Sequence, residues 1–203
     1  MMPHAILVDL DGTLVETASA NYHAYAQALA EVGLPISRRD FDARAAGRSW
    51  KHFLPEMLAQ AGIDADPAGI AARKKLLYAQ RFDELIPNTA LIGMLRLRPS
   101  VCLAALVTNA SAVNAHAVLR HFGLMDLFDA IVTGDDVARN KPAPDGYRLA
   151  ARLLGVEAAQ CIVIEDSDIG VASAHAFGAP VLRMTAVPAR HSAAATAERC
   201  ASR

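Results

Sequence analysis

Asp9 and Asp11 stand two residues apart, at the end of the apolar run Ala5-Ile6-Leu7-Val8 and just ahead of the turn Gly12-Thr13. Alternation along an extended chain points both side chains the same way. Two carboxylates that close repel each other unless a cation or a proton intervenes. A hard divalent cation such as Mg²⁺ meets that need, because it prefers oxygen ligands and keeps several of its waters. The pair reads as a place for metal or acid–base chemistry, against the alternative of two aspartates that cap a turn.

Three later segments could supply partners. Thr108-Asn109 follows the apolar run 101–107. A hydroxyl and an amide there can hold a phosphoryl oxygen without adding charge, or can form an Asx-type turn. Lys141 precedes Pro142, which restricts it to an extended backbone. Pro144 stiffens the same loop. A stiff loop can hold an ammonium where negative charge gathers; the alternative is a solvated surface lysine. Glu165-Asp166 follows the apolar run 161–164. Adjacent acids after a wholly apolar strand are costly unless they face a cation or a lysine. Asp166 is the better metal ligand of the two, and Glu165 is a partner for Lys141. Asp168 is assigned to capping the next helix, and Asp145 to capping its own helix or orienting the loop.

The elements that position these residues follow from periodicity. Apolar runs at 5–8, 101–107, 130–133 and 161–164, with a weaker one at 180–184, predict buried strands. Between them lie helices. One starts at an N-capping Ser111, carries Val113, Ala117 and Leu119, and ends at Gly123. The next has Pro144 in its first turn, Tyr147, Ala150 and Leu154 on one face, and Gly155 as its stop. A third covers 169–177 and closes at Gly178. This rhythm predicts an α/β fold: a Rossmann-like parallel sheet with helices on both faces. Ligands of such sheets bind outside the carboxyl ends of the strands, where all four polar segments fall.

Residues 16–87 break the rhythm. Tyr22, Ala26, Leu29 and Val32 form one helical stripe, Phe53, Met57 and Leu58 another, and Ile70, Leu77 and Phe82 a third. That is too much chain for one crossover. It predicts a helical domain over 16–87, inserted into a core made of 1–15 and 88–203. The tail from about residue 187 reads as loose.

The bulk numbers bound the function. The 203 residues suffice for one substantial core with a small accessory domain. Lys and Arg number 20 against 21 Asp and Glu, so charge argues for neither nucleic acid nor membrane as a partner. Cys102, Cys161 and Cys200 form no C-x-x-C pair, which favours a reducing compartment. No signal-peptide pattern or bilayer-length apolar run is present. The expectation is a cytoplasmic protein, a monomer or weak dimer, acting on a small molecule.

Taken together, the four segments resemble the haloacid dehalogenase superfamily, in its phosphatase and phosphomutase branch with a helical cap after the first motif. The resemblance covers residues 5 to about 185. It implies Mg²⁺ and a phosphoaspartyl intermediate. On that basis Asp9 is the nucleophile, and Asp11 is the general acid and then the base. Thr108, Asn109 and Lys141 bind the transferring phosphoryl group. Asp166, the Asp9 carboxylate and the Asp11 main-chain carbonyl hold Mg²⁺, with Glu165 in support. An acid at position 11 favours phosphate esters, since the dehalogenases lack one there. In the cap, Gly47-Arg48-Ser49 resembles the loop that closes over the site. Arg48, Lys51 and Lys74 are candidates for contacts to substrate. Glu16 stands where the family more often has Asp. His23 lies about two residues beyond a helix-borne His of the sugar-phosphate mutases, which weakens the mutase alternative. The expected activity is hydrolysis of a sugar phosphate or a phosphoglycolate-like ester. A phosphoglucomutase and a non-catalytic binding protein on the same scaffold are the alternatives.

Overall fold

Strands that are apolar at every position must be covered on both faces, and the sheet obeys this rule. The computed structural model describes residues 3–45 and 48–185. Five parallel strands, β1 (Ala5–Val8), β4 (Leu103–Val107), β5 (Ala130–Val132), β6 (Cys161–Glu165) and β7 (Val181–Arg183), lie in the order β5-β4-β1-β6-β7. In the centre Ala5 is level with Leu103 on one side and Cys161 on the other. Alternation splits the strands between two cores. Ile6, Val8, Leu106 and Ile164 pack on one face with α5 (Thr89–Arg96) and α6 (Ala112–His121). Leu7, Val107 and Val163 pack on the other with α7 (Asp145–Leu154) and α8 (Asp168–Phe177).

Between β1 and α5 the chain leaves the sheet. It passes through β2 (Val15–Glu16) into α1 (Ala18–Ala30), α2 (Arg38–Ala45), α3 (Trp50–Ala61) and α4 (Pro67–Ala79), and returns through β3 (Ile86–Pro87). β2 and β3 pair antiparallel, so exit and return lie side by side. Asn88 fixes the crossing. Its side-chain amide donates to the Thr13 carbonyl at 3.1 Å, and its backbone N–H donates to the Leu14 carbonyl at 2.9 Å. α1 and α4 are packed together through Ala20, Ala24, Ala28 and Leu29 of α1 and Ile70, Ala71 and Leu77 of α4. Small alanines let the two backbones come close.

Several details differ from the sequence expectations. Strand β4 starts at Leu103, and Val101 ahead of it is 82 % exposed. α6 buries Ala115, Val118 and Leu119 while Val113 faces out, because one face of a 3.6-residue period cannot hold both 113 and 118. Ser111 takes the N-cap position of α6 without capping it; Asp135 instead accepts from the Ala112 N–H at 2.8 Å. α8 is capped by Ser167, which accepts from Gly170 N–H at 3.1 Å. Asp168 is its first residue and faces solvent, paired with Arg183 at 2.7 Å. Phe82 sits in a separate 3-10 turn (Phe82–Glu84), beyond α4. Helices α2 and α5 had no counterpart in the periodicity, being only eight residues each. The expected loose tail, Cys200 and Gly47 lie outside the described residues.

Candidate active site

The parallel sheet brings three strand ends to one rim. Asp9 follows β1 and donates its backbone N–H to the Ile164 carbonyl at 3.0 Å. Thr108 follows β4, and Asp166 follows β6. Lys141 arrives from the loop between β5 and α7, where the Lys141–Pro142 peptide is cis.

Lys141 is the centre of the cluster. Its ammonium has three protons and three acceptors: Asp9 Oδ1 at 2.7 Å, Glu165 Oε1 at 2.6 Å and the Val107 carbonyl at 2.7 Å. Burial by itself disfavours the charged amine, but Asp9 first, and Glu165 after it, more than offset this and hold Lys141 above the ordinary lysine range. Asp9 is 7 % exposed. Burial pushes its carboxyl up to about 8; Lys141 opposes the shift, while Glu165 and Asp11 add to it. Burial raises Asp166 as well, against a hydrogen bond from Thr13 Oγ1 at 3.1 Å. So many acids in one dry place have one lysine among them.

A divalent cation would relieve that imbalance, and the donor set fits one. Carboxylate oxygens of Asp9, Glu165 and Asp166 lie within 4.8 Å of one another. Hard oxygens of this kind suit Mg²⁺. Glu165, however, is already committed. One oxygen takes Lys141 and the Tyr147 hydroxyl at 3.1 Å. The other takes the N–H groups of Asp166 and Ser167 and the Ser167 hydroxyl. Asp9 and Asp166 remain the available carboxylates. Gly12 makes room for this: its φ is +89°, and a Cβ there would lie 2.2 Å from Asp166 Oδ2.

Asp11 is held between two threonines. Thr17 Oγ1 donates to its Oδ1 at 2.6 Å, and Thr108 Oγ1 to its Oδ2 at 3.4 Å. The same Thr108 hydroxyl accepts from Ala110 N–H at 3.0 Å. Asn109 differs from the sequence expectation. Its amide does not face the acids but brackets the backbone of Lys141, accepting from its N–H at 3.0 Å and donating to its carbonyl at 3.2 Å. Its oxygen and one of its two amide protons are thereby engaged with the Lys141 backbone rather than with the acids.

The three cap candidates separate. Lys74 is buried, with its ammonium 4.4 Å from the Tyr78 ring centre and 5.0 Å from that of Tyr25. It donates to Asn21 Oδ1 at 2.6 Å. Asn21 donates in turn to Thr17 Oγ1 at 3.3 Å, which leads to Asp11. Burial lowers the Lys74 amine to about 8, against the pull of Asp11. Arg48 is engaged elsewhere, in a two-pronged pair with Glu56 at 2.7 and 2.8 Å. Lys51 is an exposed residue of α3. His23 pairs with Glu84 at 2.7 Å on an exposed flank, and Glu16 accepts from the Ala18 N–H at 2.7 Å at the start of α1. Thr13, Thr17, Asn21 and Tyr147 went unassigned in the sequence. Their signal is positional only: the threonines follow the aspartates closely, and Tyr147 read as a core residue.

Comparison with known proteins finds relatives over most of the chain. A family model described as haloacid dehalogenase-like hydrolase matches residues 3–178. The fructose-1-phosphate phosphatase YqaB of Escherichia coli (strain K12) is 30 % identical over 178 residues, covering 85 % of this chain and 92 % of that protein. A plasmid-borne phosphoglycolate phosphatase of Cupriavidus necator is 34 % identical over 182 residues, covering 87 % and 78 %. Among solved structures, CbbY from Rhodobacter sphaeroides in complex with phosphate superposes with a TM-score of 0.80 at 30 % identity, covering 97 % of this chain and 92 % of that one. Among the described residues, no helix is long and apolar enough to cross a membrane.

Proposed function

The chain belongs to the haloacid dehalogenase-like hydrolases, and from that premise we propose that it is a phosphatase that hydrolyses a small phosphorylated metabolite through a phosphoaspartyl intermediate. The observation that carries this reading is the buried Asp9–Lys141 pair at 2.7 Å, with Asp11 two residues further on. Asp9 attacks phosphorus. Asp11 protonates the leaving oxygen and then takes a proton from the attacking water, so one acid/base serves both half-reactions. Thr17 holds that carboxyl in place at 2.6 Å, while Thr108, at 3.4 Å from it, can turn its one proton to a phosphoryl oxygen. Lys141 and the Thr108 hydroxyl bind phosphoryl oxygens. Asn109 serves the same end indirectly, by fixing the Lys141 backbone. Asp9, Asp166 and the Asp11 carbonyl would hold Mg²⁺, which when bound offsets the repulsion between carboxylate and phosphate.

The segment 16–87 acts as a cap that excludes bulk water and selects the substrate. Lys74 is its substrate-facing cation: its ammonium has one hydrogen-bond acceptor among the described side chains, Asn21, and it is electrostatically coupled to Asp11. Arg48 and Lys51 are not assigned to substrate, since Arg48 is paired with Glu56 and Lys51 faces solvent. A sugar monophosphate and phosphoglycolate are the first substrates to assay, since the relatives include a fructose-1-phosphate phosphatase and a phosphoglycolate phosphatase. Purified protein is expected to release inorganic phosphate from a member of such a panel. Asp9→Asn and EDTA should each lower release by at least about a thousandfold, in line with loss of a nucleophile. Undiminished release after either treatment would overturn the mechanism.

A further inference from the structure

Tyr147 packs against the Lys141–Glu165 pair. It comes from the first turn of α7, is fully buried, and touches the same ion pair twice. Its hydroxyl donates to Glu165 Oε1 at 3.1 Å, and its ring centre lies 5.1 Å from the Lys141 ammonium. Burial holds the phenol above the ordinary tyrosine range, so it is a hydroxyl donor. A core packing role needs only the ring, and Phe177 stacks on that ring at 6.1 Å. The hydroxyl needs another explanation.

Lys141 is shared between two carboxylates, and how they share it depends on how strongly each one pulls. Glu165 Oε1 accepts from Lys141 and Tyr147 together. A second donor on that oxygen spreads its charge and weakens its pull on the ammonium. The charge of Lys141 is thereby left directed toward Asp9. Gly170 closes the other side: a Cβ there would lie 1.9 Å from the Glu165 carboxyl, so Glu165 has no room to swing away. We propose that Tyr147 is a positioning residue that, through Glu165, aims the Lys141 ammonium at Asp9 and the phosphoryl group. This rests on the phosphatase reading for its kinetic consequence, though not for its geometry.

The test compares Tyr147→Phe with Phe177→Leu, which disturbs the packing of the same ring and keeps the hydroxyl. Tyr147→Phe should lower kcat by about three- to tenfold, the worth of one buried hydrogen bond, with KM changed less than twofold. In ¹⁵N spectra the Lys141 ammonium signal should shift in this variant, as Glu165 pulls harder on it. Phe177→Leu should lower Tm but leave kcat and the ammonium signal as in the unsubstituted protein. Unchanged kcat and signal in Tyr147→Phe, or the same two effects from Phe177→Leu, would overturn the proposal. If the unsubstituted protein hydrolyses no phosphate ester, the phosphatase reading falls. The ammonium signal then decides the role of Tyr147 by itself.

Discussion

Single side chains in this protein are defined by what they are denied. Lys141 has an acceptor for each proton, whereas Lys74 has, among the described residues, one acceptor and two aromatic rings. Burial accordingly lowers Lys74 from 10.5 to about 8. Between those values the unfolded chain binds more protons than the folded one, so stability contributed at this site rises as pH climbs from about 8 to about 10.5. Against Lys74→Met, the unsubstituted protein should gain on the order of 1–3 kcal/mol across that window, read by urea denaturation at several pH values. Over the same window Lys74 loses its charge. KM for a phosphate ester should therefore rise more steeply above about pH 8 in the unsubstituted protein than in the variant. Parallel stability curves for the two proteins would count against the burial of this amine.

At the scale of elements, close packing places the acids. The first turn of α8 sits down on Glu165, and Gly170 is the contact that allows it. Gly170→Ala should cost at least about 3 kcal/mol, since the new methyl meets a carboxylate with no space to yield. Gly93, inside α5, makes the opposite case: nothing lies within 4 Å of a Cβ there. Gly93→Ala should stabilise by about 0.5–1 kcal/mol, because alanine loses less backbone entropy in a helix. Denaturation midpoints measured side by side would check both signs. Equal shifts in one direction would contradict the packing argument. The sequence rhythm foretold the five sheet strands and α6, α7 and α8 between them, yet it put Val113 on the wrong side of α6. A single apolar residue at a helix start carries little phase information, and the true buried face is made by Ala115, Val118 and Leu119.

At the scale of the whole molecule, the sheet-borne acids and the helices α1–α4 meet through a two-strand crossing at β2 and β3. Asn88 ties that crossing to the turn after Asp11, donating to the Thr13 carbonyl and accepting from the Leu91 N–H at 3.1 Å each. Asn88→Ala leaves both groups without their partner, at a cost of about 1–3 kcal/mol. At the β2–β3 crossing, where the proposed cap would hinge, Asn88→Ala should also shift kcat and KM together, as hinge changes do. Steady-state kinetics with the substrate found by the panel would read this. A loss of stability with both kinetic constants intact would confine Asn88 to a structural part.

The sequence by itself determined the parallel sheet, the strand-end location of Asp9, Thr108 and Asp166, and the approach of Lys141 and Glu165. It could do so because buried strands and turn-forming residues are written locally, as runs of apolar residues with polar ends. The tertiary structure decided the rest. Whether Lys74 is a surface charge or a buried one depends on α1, which brings Tyr25 against it and Asn21 from 53 residues away along the chain. Arg48 and Lys74 look alike as cap cations in sequence, and only packing ties one to Glu56 and hides the other. That Asn109 serves Lys141, 32 residues distant, is equally a contact no local pattern encodes. Nor does any local pattern encode that Tyr147 reaches Glu165. Such pairings arise where separate elements converge, and their partners are chosen by distance in space rather than by spacing along the chain.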